Sequence, residues 1–120
     1  MADRDATYQA DCLFCRIAAG EIPADRVFED ESIIVFRDIN PKAPTHVLAI
    51  PRRHLASAAD LTDADGGLLT ALFGALRRVA LEAGLGGYRI VTNVGAESGQ
   101  SVFHLHFHLL GGRSMTWPPG

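Results

Sequence analysis

Residues 104–108 carry a histidine at every second position, with leucine or phenylalanine between them, and two leucines follow. Because side chains along a β-strand point alternately to its two faces, His104, His106 and His108 fall on one face and the apolar residues on the other. The pattern predicts a strand over residues 101–110 with one apolar face and one face of three imidazoles.

Four other runs have the character of strands. Residues 27–29 and 32–37 are separated by acidic residues that suit a hairpin turn. Residues 46–50 end at a proline, and residues 88–93 lead into the polar loop 94–100. Together with the histidine strand they predict a sheet of about five strands.

Two helices are also predicted. An apolar stripe at helical spacing covers residues 68–80, behind a capping box of Thr62 and Asp65 and ahead of Gly84, a natural stop. A shorter helix is expected near residues 13–17. Runs of strands interrupted by one long helix favour an α+β fold, an antiparallel sheet with one long and one or two short helices.

Length and composition favour one domain. The chain has 120 residues, of which 48% are apolar, enough for one core. Residues 1–11 are polar and predict a flexible N-terminal tail, so the single domain is expected to span residues 12–120. The absence of a long apolar run and of a signal peptide predicts a cytoplasmic protein.

The charge pattern favours a small ligand. The formal net charge is −3, and the basic residues are scattered along the chain. There is therefore no electrostatic reason to expect binding to a nucleic-acid polymer or to a membrane.

The clustered histidines point to phosphoryl or nucleotidyl transfer. Imidazoles that lie close together suppress one another's protonation, which keeps a neutral nucleophile or base available near neutral pH. Gly99, Gln100 and Ser101 directly precede the cluster and offer backbone N–H groups and polar side chains to a phosphate. The alternatives are a strand face that happens to carry histidines, a histidine-rich metal patch, and an ordinary turn at residues 99–101.

Residues 99–110 resemble the signature of the histidine triad (HIT) superfamily, in which three histidines alternate with apolar residues. The likeness covers most of the chain after Cys12, and the segments 38–41, 43–46 and 111–120 are similar to the Hint branch of nucleotide-binding phosphoramidases. The resemblance implies a homodimer whose subunits join their sheets, a purine nucleotide substrate, and hydrolysis through a covalent histidine–AMP intermediate.

The same resemblance implies roles for individual residues. His106, the middle histidine, is implied as the nucleophile, and His108 as the group that contacts the phosphate and helps to protonate the leaving amine. His46 and His104 are implied to support the nucleophile. Asp38, which by itself is equally typical of a turn or cap, is implied to hold the ribose hydroxyls. The other nucleotide contacts are expected from Phe14, Ile17, Ile22, Phe36 and Ile39 around the base, and from Asn93, Gly99, Gln100 and Ser101 near the phosphate.

Cys12 and Cys15 form a Cys-x-x-Cys pair, which in a chain of this kind points to metal ligation or redox chemistry. The resemblance to superfamily members that hold zinc through two cysteines and two histidines adds His54 and His104, a closed set typical of structural zinc. A redox disulfide is the alternative, although nothing around the pair resembles a thioredoxin motif. The reaction itself needs no metal cofactor, because histidines supply both the nucleophile and the proton.

Other functions stay open from the sequence. They are a dinucleoside polyphosphate hydrolase or nucleotidyl transferase of the same superfamily, a nucleotide-binding regulatory protein with little turnover, and a metalloenzyme with His104, His106 and His108 as ligands. The leaving group and the choice between adenine and guanine are not determined by the sequence.

Overall fold

The computed structural model describes residues 4–120. Within this part of the chain, no helix combines the length and the apolar character that crossing a membrane requires. The elements are α1 (Leu13–Ala18), β1 (Arg26–Glu29), β2 (Ile33–Arg37), β3 (Thr45–Pro51), α2 (Gly66–Glu82), β4 (Tyr88–Val91) and β5 (Phe107–Gly111), with short 3-10 turns at Ala58–Asp60, Asp63–Asp65 and Ala96–Ser98.

The five strands form one antiparallel sheet in the order β1-β2-β3-β5-β4. This arrangement confirms the predicted α+β fold with its long helix and short helix. The extension of the sheet across a homodimer stays a prediction.

A helix packs on each face of the sheet. Successive residues of β2 and β3 point to opposite faces, so their side chains belong alternately to two separate cores. The core beside α1 lies on the face that also carries the histidines, and the core beside α2 lies on the other. The α2-side core contains Ile33, Val35, Val47, Ala49, Leu72, Leu76, Leu105, Phe107 and Leu109, and the α1-side core contains Phe14, Ile17, Ile34, Phe36, Leu48 and Ile50.

The histidine strand is shorter than predicted. β5 begins at Phe107, so the expected strand over residues 101–110 is wrong for its first six residues. The reason is a long-range contact that the local pattern does not contain: the N–H of Leu105 donates to the carbonyl of Leu55 at 2.6 Å. The backbone there bonds to a loop instead of a neighbouring strand.

The alternation of side chains nevertheless continues through this irregular segment. Leu105 and Phe107 are buried in the α2-side core. His104 and His106 face the other way and contact the ring of Phe14 in α1. The predicted separation into an apolar face and an imidazole face is therefore confirmed, although only part of it is a regular strand.

The signals predicted to begin and end α2 are both present. Thr62 and Asp65 form the capping box, which caps a 3-10 turn that leads into α2 at Gly66. Gly84, after the helix, has a φ of +69°, a left-handed conformation that glycine adopts without strain. β4 ends at Val91, two residues earlier than predicted.

Part of the predicted flexible tail, residues 4–11, makes contacts with the domain. The Tyr8 hydroxyl donates to a carboxylate oxygen of Glu21 at 2.6 Å. The backbone N–H of His54 donates to the Thr7 hydroxyl at 2.6 Å. The first three residues lie outside the described part of the chain, and the boundary between tail and domain stays a prediction.

Candidate functional site

Neighbouring strands bring together four of the predicted site residues, which we call the imidazole cluster: His46, His106, His108 and Asp38. His46 on β3 has its Nε2 2.9 Å from Nδ1 of His108 on β5. The rings of His106 and His108 have centroids 5.1 Å apart. Oδ2 of Asp38, which follows β2, lies 3.4 Å from His46 Nε2.

His106 has one ring nitrogen whose role is fixed by the backbone. Its Nδ1 lies 2.7 Å from the carbonyl oxygen of His104, an acceptor, so Nδ1 carries the ring proton and Nε2 keeps the lone pair. Burial lowers the pKa of His106, although the bond to the His104 carbonyl and the charge of Asp38 oppose the shift. A neutral ring with a free Nε2 is the form that attacks phosphorus.

The hydrogen bonds of His46 fix the proton on His108. The backbone N–H of Lys42 donates to His46 Nδ1 at 2.9 Å, so the proton of neutral His46 sits on Nε2. That N–H faces His108 Nδ1, which must accept it and therefore leaves the His108 proton on Nε2. The cluster thus offers a lone pair on His106 and an N–H on His108.

The free protein holds His46 and His108 neutral near neutral pH. Burial lowers the pKa of both rings, and it lowers that of His108 to about 4 with added repulsion from His106 and His46. The carboxylate of Asp38 opposes these shifts. An anion bound beside His108 would act in the same direction as Asp38 and favour the protonated ring.

Asp38 has a structural task as well as its place in the cluster. Its Oδ1 accepts the N–H of Asn40 at 2.8 Å, which is the turn role that its sequence context also favoured. Its own N–H donates to the carbonyl of His46 at 3.0 Å. These two bonds hold Oδ2 on the side of His46.

The residues expected around the base are only partly brought together. The Phe14 ring packs edge to face with the ring of Phe36, with centroids 5.6 Å apart. It also packs edge to face with the ring of His106, with centroids 5.0 Å apart. Ile17 is buried in the same core, and Ile22 packs against it while half buried. Ile39 is fully exposed and does not join them in this chain.

The loop before the histidines is held mainly by Gln100. Its side-chain amide donates to the carbonyls of Ala56 at 2.7 Å and Val102 at 3.1 Å, and accepts the N–H of Gly95 at 2.8 Å. Both amide N–H groups are therefore used inside the protein, and none is left for the predicted direct contact with a phosphate.

Phosphate binding by the other residues of this loop, Asn93, Gly99 and Ser101, stays a prediction. Gly99 has a φ of +100°, a conformation that requires glycine and ends the turn before the histidine segment. Ser101 is exposed and Asn93 is half buried. The loop therefore has a defined turn at Gly99 directly before the histidine segment.

The predicted metal ligands come together as a second group, which we call the thiol cluster: Cys12, Cys15, His54 and His104. Their ligand atoms all lie within 4.8 Å of one another. Sulfur and Nδ1 are 3.4 Å apart for Cys12 and His104, and 3.3 Å apart for Cys15 and His54. Bonds of about 2.3 Å to sulfur and 2.0–2.1 Å to nitrogen, at a tetrahedral angle, separate these atoms by about 3.6 Å, so the set fits zinc.

The hydrogen bonds of His104 support this fit. Its Nε2 lies 2.8 Å from the carbonyl of Pro51 and must donate, which leaves the Nδ1 lone pair directed at the thiols. Burial lowers the pKa of His104 to about 4 and raises that of Cys15 to about 11. A bound cation would stabilise the neutral imidazole and the thiolate in this buried position.

The metalloenzyme alternative, with His104, His106 and His108 as ligands, does not match this geometry. His104 directs its free nitrogen to the thiols, and Nδ1 of His106 is bonded to a carbonyl. The three histidines therefore do not converge on one ion.

Sequence reasoning missed the backbone groups that set the ring protons. They are the N–H of Lys42 and the carbonyls of His104 and Pro51. Since every residue except proline has the same two backbone groups, no residue type could have identified them.

Comparison with known proteins agrees with this geometry. A family model described as "Scavenger mRNA decapping enzyme C-term binding" matches residues 11–117. An uncharacterized HIT-like protein of Synechococcus elongatus is 47% identical over 111 residues, which cover 92% of this chain and 97% of the relative.

Solved structures show the same fold. A HIT family hydrolase from Legionella pneumophila is 54% identical, with a TM-score of 0.90, over 92% of this chain and all of the other. A HIT family hydrolase from Clostridium thermocellum is 43% identical, with a TM-score of 0.87, over 90% of this chain and 96% of the other. With a histidine triad in the matching fold and similarity along nearly its whole length, this chain belongs to the HIT superfamily and resembles its hydrolases.

Proposed function

We propose that this protein hydrolyses purine nucleoside 5′-phosphoramidates, cleaving the P–N bond through a covalent histidine–AMP intermediate on His106. The observation that carries the proposal is the 2.7 Å bond from His106 Nδ1 to the His104 carbonyl. It leaves a lone pair on Nε2 of His106, whose ring centroid lies 5.1 Å from that of His108, the ring that carries its proton on Nε2.

The proposed reaction has two steps. His106 Nε2 bonds to the α-phosphorus as the P–N bond breaks, and the leaving nitrogen takes the electron pair of that bond and a proton from His108. Water then attacks the histidine–AMP, gives a proton back to His108, and releases AMP. The proton that leaves with the amine is thus replaced in the second step.

Substrate binding prepares His108 for this transfer. In the free protein its pKa is lowered to about 4, so the ring is neutral. The anionic phosphate adds to the field of Asp38 and raises the pKa of His108 when the substrate is in place. Proton donation is therefore coupled to binding.

The remaining residues bind and support. Asp38 holds the ribose hydroxyls, and Phe14 and Phe36 form the wall of the base site next to His106. Cys12, Cys15, His54 and His104 would hold a zinc ion. Zinc bound there supplies a structural link between α1 and the segment before β5, and the chemistry is left to the imidazole cluster.

The functional unit in this proposal is a homodimer joined at β4. This strand is at one end of the sheet order, where its outer edge has no neighbour within the described chain. Tyr88 on this strand is an exposed apolar side chain, and Phe73 and Leu81 on α2 are also exposed. Light scattering of the protein in solution tests this assembly, and a monomer at all concentrations would contradict it.

A second candidate function is hydrolysis of a phosphoanhydride, as in dinucleoside polyphosphates. The family description that matches this chain refers to a decapping enzyme, whose substrate class is of that kind. The same attack by His106 applies, with a phosphate as leaving group. Because phosphate leaves without the proton that an amine needs, a comparison of the two substrate classes distinguishes the functions.

The test is mass spectrometry of the protein quenched during turnover of adenosine 5′-phosphoramidate, for the wild type and for His106→Ala. We expect a nucleotidyl adduct that maps to His106, and neither adduct nor turnover in the variant. Exposed Glu31→Ala, in the turn between β1 and β2, is the control for a surface substitution.

Three outcomes would contradict the proposal. Turnover that survives in His106→Ala removes the covalent mechanism. Absence of turnover in the wild type, together with tight binding of AMP, supports the regulatory alternative. Faster turnover of a dinucleoside polyphosphate than of any phosphoramidate supports the second candidate.

A further inference from the structure

The loop that orients His46 is held from outside by the segment after β5. Nε of Arg113 donates to the carbonyl of Lys42 at 2.9 Å, and its Nη1 donates to the carbonyl of Ser114 at 3.0 Å. Lys42 is also the residue whose N–H donates to His46 Nδ1. One arginine therefore binds the residue that sets the ring proton of His46.

A second contact holds the same loop. Gly112, directly before the arginine, has a φ of +92°, and a Cβ placed on it would lie 2.9 Å from Cβ of Pro44. The backbone of the Gly112–Arg113 turn therefore packs closely against the Pro41–Pro44 loop. Contacts on Lys42 and Pro44 together limit the movement of the loop between β2 and β3.

The position of the Lys42 backbone determines which nitrogen of His46, and through it which nitrogen of His108, carries the ring proton. A neutral imidazole has one ring proton. When the backbone N–H of Lys42 donates to His46 Nδ1, the ring proton of His46 must be on Nε2. That Nε2–H donates to Nδ1 of His108, so the ring proton of His108 must be on its own Nε2. If Lys42 moves away, His46 is free to carry its proton on Nδ1. Nε2 of His46 then accepts a proton from His108 Nδ1, and His108 turns a lone pair toward the phosphate.

We propose that Arg113 is a positioning residue for His108, acting through the backbone of Lys42 on both sides of its Cα and through the ring of His46. Its guanidinium keeps the Lys42 N–H on His46 and so keeps an N–H donor, and not a lone pair, on the substrate side of His108. The effect on rate rests on the proposed function, whereas the effect on the ring protons does not.

Arg89 supplies a matched comparison. Its Nη2 donates to the carbonyl of Thr116 at 2.9 Å, so it anchors the same C-terminal segment without contacting Lys42. A role in merely attaching this segment predicts similar consequences for Arg89→Ala and Arg113→Ala. Because Arg89 lies on β4, at the proposed dimer edge, the two variants are compared by their histidine tautomers and not by their rates. A positioning role predicts a tautomer change in Arg113→Ala alone.

The experiment uses the full-length protein with ¹⁵N-labelled histidine, and compares wild type, Arg113→Ala, Arg113→Lys and Arg89→Ala at neutral pH. In the wild type we expect His46 and His108 each to carry the proton on Nε2. In Arg113→Ala we expect signals that average between the two tautomers, and partial recovery in Arg113→Lys, which keeps one donor for the Lys42 carbonyl.

Rates provide the second readout. Only molecules that present an N–H of His108 to the phosphate bind it well, so equal populations of the two tautomers in Arg113→Ala should raise KM by about twofold. Because bound substrate favours the protonated ring, which carries both N–H groups in either protein, kcat should change less. If Arg113→Ala does not fold, Gly112→Ala displaces the same loop and should shift the same tautomer signals.

Unchanged histidine tautomers in a folded Arg113→Ala, or equal changes in Arg89→Ala, would overturn this inference. A wild type that shows the expected tautomers but no phosphoramidase turnover would overturn the proposed function and leave the inference intact. The two failures are therefore distinguishable.

Discussion

The thiol cluster and the imidazole cluster share one short segment of chain, yet backbone groups prepare their histidines for opposite tasks. In the thiol cluster the Pro51 carbonyl accepts the Nε2 proton of His104 and leaves a lone pair toward the cysteines. In the imidazole cluster the N–H of Lys42 occupies the lone pair of His46 and leaves a proton toward His108. The backbone group that faces one ring nitrogen decides what the other nitrogen does.

The comparison also shows that spacing alone does not identify a metal site. Ligand atoms of Asp38, His46 and His108 lie as close together as those of the thiol cluster. An ion there would need a lone pair on His46 Nε2, where the proton sits in the present hydrogen-bond arrangement. The thiol cluster meets the same requirement at His104 Nδ1 without any rearrangement.

The largest effect should come from removing the nucleophile. His106→Ala is expected to lower the rate of phosphoramidate hydrolysis by about 10⁴-fold or more, because loss of a nucleophile removes the covalent route. Bound zinc should stay close to that of the wild type, because His106 does not belong to the thiol cluster. Metal analysis checks this, and a variant that also lost its zinc would show that the two clusters are not separable.

Removing a thiol should instead lower the zinc content and the thermal stability. Cys15→Ser is expected to lower bound zinc from one ion per chain to almost none, and to lower Tm by about 10 °C or more, since binding energy at a structural site is folding energy. Metal content by mass spectrometry and Tm by calorimetry measure both. If wild-type protein prepared with zinc contains none, or if chelation leaves Tm unchanged, the thiol cluster does not have the structural role proposed for it.

A third measurement uses the neutral state of the imidazole cluster. The pKa of His108 is about 4 in the folded protein and about 6.5 ordinarily. Between these values the unfolded chain binds a proton that the folded chain does not, so the free energy of unfolding should fall as pH falls from about 6.5 to about 4. A shift of this size corresponds to about 3 kcal/mol before solvent screening, and the contribution is smaller than that because the ring is partly exposed.

Denaturant unfolding of His108→Gln measures this contribution. The variant lacks the titrating ring, so its stability should depend less steeply on pH over the same window than that of the wild type. Equal slopes for the two proteins would show that folding does not lower the pKa of His108. In that case burial does not hold this ring neutral between about pH 4 and about pH 6.5.

The sequence was most informative where a pattern is local. Alternation over residues 104–110 predicted both faces correctly, because the two-residue period of side chains persists even where the strand is irregular. The start of β5 was wrong because the Leu105 N–H bonds to Leu55, fifty residues away. His54 entered the metal set only through resemblance, since its approach to Cys15 depends on the complete fold.

The functional details that the sequence did not contain are mostly backbone contacts. Gln100 was expected to bind phosphate, but its amide is used by the carbonyls of Ala56 and Val102. Polar side chains near a glycine turn are equally suited to holding the turn and to binding a ligand, and only the partners distinguish the two. The same applies to the ring protons of His46 and His106.

The smallest effect concerns Asp38, whose carboxylate gives the imidazole cluster the negative charge that zinc-bound thiolates would give the thiol cluster. Asp38→Asn should lower kcat/KM for a ribonucleoside phosphoramidate by about tenfold, because a hydrogen bond to a charged group contributes roughly 1.5–3 kcal/mol and the neutral amide retains part of it. The 2′,3′-dideoxy substrate lacks the hydroxyls and should be affected much less. Asp25→Asn, which changes an exposed carboxylate paired with Arg37, is the matched control. If both substrates lose the same factor in Asp38→Asn, the carboxylate acts on the histidines alone, and its assignment to the ribose is wrong.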